Sequence, residues 1–179
     1  MDYSIHDHKH RFSAWAASRA ASVKNCRFDV ANGKKIIETV GLDVIASSPD
    51  NLPAPAQIDA AHREWRESAI SAALGLGMRP FSHGIAAKLI NVYLKGMITC
   101  GGHESHPNAS SLHPPIDRLL LDELYSQNIG GLRAAWSTAR KQSWSNFNSE
   151  QYEAVILAIR QTIGEMPLWR IENHWRGYQ

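Results

Sequence analysis

Lys88 is the residue whose type and placement first suggest chemistry. It lies in "PFSHGIAAKLINVYLK" (residues 80–95), which opens the most apolar helical stretch of the chain. On a helical wheel of about 100° per residue, Ile85, Leu89, Ile90, Val92, Tyr93, Leu94 and Met97 cover a broad apolar face. Gly84, Lys88, Asn91 and Lys95 form a narrow polar stripe beside it. Such a helix is mostly buried, and its one polar strip must face water, a partner or a cleft. A lysine on that border has its ammonium partly desolvated, which lowers its pKa and makes the amine a better nucleophile. The plainer alternative is a solvated lysine on an exposed face.

An acidic residue follows at Asp117, directly behind His113-Pro114-Pro115-Ile116 and at the head of the next helical pattern, "DRLLLDELYSQ". It suits two compatible roles, a helix N-cap and a carboxylate held beside the lysine. Between them, Gly101–Pro115 is rich in Gly, His, Ser and Pro and reads as a long loop.

Helical spacing recurs along the rest of the chain, and strict apolar–polar alternation is scarce. Helices are predicted from Lys9 to about Lys24 and from Val30 to Val40, the latter between a capping Asp29 and Gly41. Prolines 49, 53 and 55 break the chain, and Asp59 can cap a helix that ends near Gly75 and Gly77. Ser82 can cap the lysine helix, which runs to about Ile98. Helices at "LRAAWSTARKQ" and "SEQYEAVILAIRQTIG" follow, the second with Asn148 and Gln151 as a capping pair. Pro167 opens a last one, "LWRIENHWRG", in which Trp169 and Trp175 are expected to pack into the core with Ile171. The fold class predicted is all-α, a compact bundle of about eight short helices in one domain spanning residues 1–179.

Composition sets limits on function. With 44% hydrophobic and 20% charged residues and a net charge of +2, the chain has an ordinary globular balance. That charge is compatible with a nucleic-acid partner, steered by localised positive groups. Cys26 and Cys100 lack metal-ligand spacing and read as reduced thiols. No secretory segment is recognised and no run nears the roughly 18 apolar residues that span a bilayer. A cytoplasmic monomer without membrane contact is expected. His6, His8 and His10, with His103, His106 and His113, read as solvated side chains, since no His-Glu-x-x-His or paired-cysteine motif accompanies them.

The order of these motifs resembles the core of the helix-hairpin-helix DNA glycosylases. Gly84-Ile85-Ala86-Ala87-Lys88 is similar to the family's Gly-Val-Gly-x-Lys turn, and Pro115-Ile116-Asp117 to its Pro-Val-Asp, most like the 8-oxoguanine branch. Ser82-His83 stands where the family has Leu-Pro, and Ala86 where it has a second glycine. The resemblance covers about forty residues. It implies a helix-hairpin-helix core and a glycosylase with lyase activity on double-stranded DNA carrying an oxidised base. Lys88 would attack the sugar C1′ of an extruded nucleotide and Asp117 would assist, with no cofactor and no metal. Gly84, Arg79, Lys95 and Arg118 are the expected DNA contacts, and Arg133, Arg140 and Lys141 further phosphate candidates. Some of the six tryptophans should wall the base pocket. The 101–115 loop is expected at the cleft mouth, touching the extruded base or the opposite strand. The alternative from another class is a non-catalytic helical module of the same fold that binds DNA or protein. A metal-dependent hydrolase built on the histidines is a more distant third.

Overall fold

The computed structural model describes residues 3–178. Among them the chain is all-α, with nine α-helices, five 3₁₀ or π-helical segments and no strand beyond an isolated bridge between Val23 and Cys26. No helix among the described residues is long and apolar enough to cross a membrane.

Local signals set most helix boundaries. Helix α1 (Ile5–Ala21) begins earlier than predicted because Ser4 and Asp7 form a reciprocal capping box. It also ends earlier, where Ser22 turns extended. Asp29 caps α2 (Val30–Val40), and Gly41 stops it at φ 79°, a left-handed conformation that glycine adopts without a Cβ penalty. The short α3 (Leu42–Ile45) leads through a 3₁₀ turn at Pro49–Asn51 to α4 (Ile58–Gly75). Asp59 does not cap α4, whose N-cap is Gln57 without a side-chain bond. Its carboxylate binds His113 and Arg160 instead.

Helix α5 (His83–Leu94), capped by Ser82, runs between two apolar cores. Ile85, Leu89, Ile90, Tyr93 and Leu94 join the first core, built with α1, α2 and α4. Ala87 enters the second, built from α7 (Arg118–Ser126), α8 (Arg133–Gln142), α9 (Ser149–Ile163) and the C-terminal segment. A helix inside two cores must be apolar over most of its circumference, which accounts for the width of its apolar face.

Two segments depart from the predicted elements. The 101–115 stretch is largely ordered: α5 continues as a π-helical segment, Lys95–His103, and a short α6 (Pro107–Ser110) follows. Asn108 donates to the Leu52 carbonyl at 3.1 Å, His106 bonds Asp50, and Ala109 and Leu112 enter the first core. The C-terminal segment Leu168–His174 is a 3₁₀ helix, with three residues per turn. Leu168 and Ile171 therefore share one face, in the core, while Glu172 and Trp175 fall together on another.

Candidate active site

Lys88 is 7% exposed, so it is not the solvated side chain of the plainer reading. Its Nζ lies 3.0 Å from Asp117 Oδ2, although 29 residues separate the two in sequence. The amine's pKa is lowered, because burial outweighs the opposing pull of the Asp117 carboxylate. Asp117 divides its two oxygens between roles. Oδ1 accepts the Leu120 backbone N–H at 2.9 Å and caps α7. Oδ2 accepts from Lys88 and, at 3.0 Å, from the indole N–H of Trp175. Capping of α7 and contact with Lys88 coexist in one side chain.

The pair opens into a cleft of about 370 Å³ at the seam between the two cores. Ala16 and Ala20 of α1 form one wall, and Pro115, Trp144 and Trp175 form others. The Trp144 ring centroid is 5.8 Å from Lys88 Nζ. Lys95, two turns along the same stripe, pairs with Glu172 inside the cleft and lies 6.0 Å from the Trp175 ring centroid. Burial raises the Glu172 pKa, with Lys95 acting against the rise. A buried amine, two carboxylates and two indoles thus surround one space.

Trp144 is placed by Gly84. The Gly84 N–H donates to the Phe147 carbonyl at 3.2 Å, and Ser82 Oγ donates to the Ser145 carbonyl at 2.6 Å. A Cβ at Gly84 would stand 1.8 Å from the Trp144 carbonyl oxygen. Glycine is required there so that the 144–147 segment can lie on the first turn of α5. The amide expected to meet a DNA phosphate is bonded within the protein.

Asn91, also on the stripe, is buried and ties the site's two strands of chain together. Its amide donates to the Pro114 carbonyl at 3.0 Å and to the Tyr152 hydroxyl at 2.9 Å, while its oxygen lies 2.7 Å from His62 Nε2. His113 bonds Tyr152 and Asp59. It is therefore a core histidine rather than a solvated one, held there by two polar partners. Pro114 is anchored to α5 three residues ahead of Asp117, which fixes the lysine–aspartate register.

Of the expected DNA contacts, Lys95 lies inside the cleft, whereas Arg79 and Arg118 are exposed outside its lining. Arg133 donates to the Ser126 carbonyl and Arg140 to Asp122, and Lys141 is exposed. The 101–115 loop contributes only Pro115 to the cleft, because its middle is tied to residues 50–52. Trp144, Glu172 and Trp175 are site residues that sequence reasoning did not single out. A three-residue period in the last segment would have separated Glu172 and Trp175 from Leu168 and Ile171. Among the described residues, no group of three His, Cys, Asp or Glu side chains could hold a metal ion. Both cysteines are free. Compared with known proteins, the chain matches no family model, no curated protein and no solved structure.

Proposed function

We propose that the protein is a DNA base-excision glycosylase with lyase activity, built on a helix-hairpin-helix core formed by α4, the 76–82 connection and α5. The observation that carries this reading is the buried Lys88 amine, lowered in pKa and 3.0 Å from Asp117, in a cleft with two tryptophans. A flipped nucleotide needs an enclosed pocket with aromatic faces, and Trp144 and Trp175 supply them. The half-buried Lys95–Glu172 pair adds a donor and an acceptor for a base edge.

In this mechanism the neutral Lys88 amine bonds to C1′ as the C1′–N bond to the base breaks. The bond's electron pair leaves on the base, which takes up a proton, and the lysine nitrogen sheds one. The Asp117 carboxylate stabilises the positive charge that develops on the sugar. The sugar ring then opens to a Schiff base on Lys88, and loss of a C2′ proton expels the 3′ phosphate.

One observation favours the alternative, a non-catalytic module of the same fold. The Gly84 amide is bonded to Phe147 and not free for a phosphate. Excision assays on duplexes carrying different oxidised bases separate the two. The glycosylase reading predicts release of at least one base by the wild type and none by Lys88→Gln. Release of none by the wild type leaves the binding module.

A further inference from the structure

Helix α1 inverts the usual order of a packed helix. It buries Ala14, Ala17 and Ala21 with Ser13 and Ser18, and presents its large aromatics to solvent. Phe12 is 61% exposed and Trp15 is 51% exposed, with ring centroids 5.9 Å apart. Neither ring is used to hold the bundle together. Their position is specific. Phe12, Ala16 and Ala20 follow at four-residue intervals, so they form one strip along the helix. Ala16 and Ala20 line the Lys88 cleft, which places Phe12 one turn outward from the cleft wall with Trp15 beside it.

The charge around the pair is positive. Between Ile5 and Ala21 the helix carries Lys9, Arg11 and Arg19 against Asp7 alone, and Lys24 and Arg27 follow. Among the described residues, Arg11, Arg19, Lys24 and Arg27 form no salt bridge with a carboxylate. Arg19 and Arg27 line one groove with Ser18, Ser22 and a single carboxylate, Asp29. Exposed aromatics among cations that outnumber the nearby carboxylates are complementary to nucleic acid, whose bases stack on rings and whose phosphates attract the cations.

We propose that Phe12 and Trp15 form a stacking surface for the bases next to the extruded nucleotide, with the cations of α1 and the turn after it holding the adjoining phosphates. The proposal rests on the glycosylase reading for the location of the extruded nucleotide, but not on its chemistry. Drawing one nucleotide into the cleft leaves a gap in the stack, and a ring one turn from the cleft wall is placed to cover it.

The test measures binding of the full-length protein to a duplex with a tetrahydrofuran abasic-site analogue, which has no base to lose, and to the same duplex intact. Phe12→Ala and Trp15→Ala should each weaken binding to the abasic duplex by about tenfold, the scale of one lost base–aromatic stack. They should change binding to the intact duplex much less, and Trp15→Phe should retain most of the affinity. Both positions are exposed, so the variants should melt like the wild type. Equal affinities for variants and wild type, or a wild type that binds neither duplex, would overturn the proposal. So would a wild-type dimer that the alanine variants break, since the face would then cover a second copy. Excision by Lys88 is read separately. Loss of excision with stacking intact would remove the enzyme and leave the surface, and the reverse result would remove only the surface.

Discussion

The Lys88 amine and the Asp117 carboxylate meet at 3.0 Å across 29 residues of sequence, yet burial still leaves the amine with a lowered pKa. The aspartate holds the amine in place without fully restoring its preference for a proton. A buried lysine with no carboxylate nearby would lose its proton still more readily.

This balance sets a pH dependence. In the proposed lyase mechanism Schiff-base formation needs the neutral amine, so its rate should rise with pH through the folded-state pKa of Lys88, below the ordinary lysine value. Asp117→Asn removes the charge that raises that pKa, so the midpoint should move further towards acid. Base release should slow at the same time, as charge stabilisation at the sugar is lost. A pH–rate profile of borohydride-trapped adduct checks this, and an unmoved or more alkaline midpoint would contradict it.

Trp175 aims its indole N–H at the Asp117 oxygen that also binds Lys88. Trp175→Phe keeps an aromatic face and removes the donor. A hydrogen bond to a charged group contributes about 1.5–3 kcal/mol. Excision should therefore fall by about tenfold or more, with DNA affinity changed much less. Single-turnover kinetics alongside equilibrium binding distinguish the two, and equal losses in both would make Trp175 a binding residue only.

Gly84 has a packing role that a phosphate-binding role alone would not require. In Gly84→Ala the new Cβ meets the Trp144 carbonyl oxygen, so the 144–147 segment must shift. Overpacking of this kind costs about 1–3 kcal/mol. Urea unfolding should show that loss without DNA present. Unchanged stability together with weakened DNA binding would assign the glycine to the phosphate instead.

The buried histidines predict acid sensitivity. Burial pushes His62 well below, and His113 below, the ordinary histidine pKa, the Asp59 contact only partly opposing the shift in His113. The unfolded chain therefore takes up protons first as pH falls below about 6.5, and stability is lost from there downward. Glu153 adds a second loss at lower pH. Arg63 and the buried Arg66 hold its pKa at about 2, so its contribution is present above its ordinary value and fades below it. Urea midpoints should fall between pH 7 and pH 5, bracketing about 6.5. A flat profile over that range would contradict the assignment.

How much of this was legible in the sequence depends on which signals are local. Asp29, Ser82, Asp117 and the Asn148–Gln151 pair cap the helices they were predicted to cap, because a cap is decided within four residues. The polar stripe of α5 was legible for the same reason. What each stripe residue meets was not, since Trp144, Pro114 and Glu172 come from distant segments. Trp175 packs against the second core with Ile171, as expected, and its place beside Glu172 in the cleft was the part not legible. It follows the 3₁₀ helix as an extended C-cap residue, a change of backbone that its sequence does not signal. The 101–115 loop was judged by its composition, which does not reveal that Asn108 and His106 fasten it to residues 50–52.

Whether Lys88 is the nucleophile is decided by borohydride trapping followed by peptide mapping. The protein is incubated with duplexes carrying an abasic site or an oxidised base, reduced, digested and sequenced by mass spectrometry. A covalent DNA remnant is expected on Lys88, absent from a folded Lys88→Gln variant. An adduct mapped to another lysine, or no adduct with any of the duplexes, would contradict it.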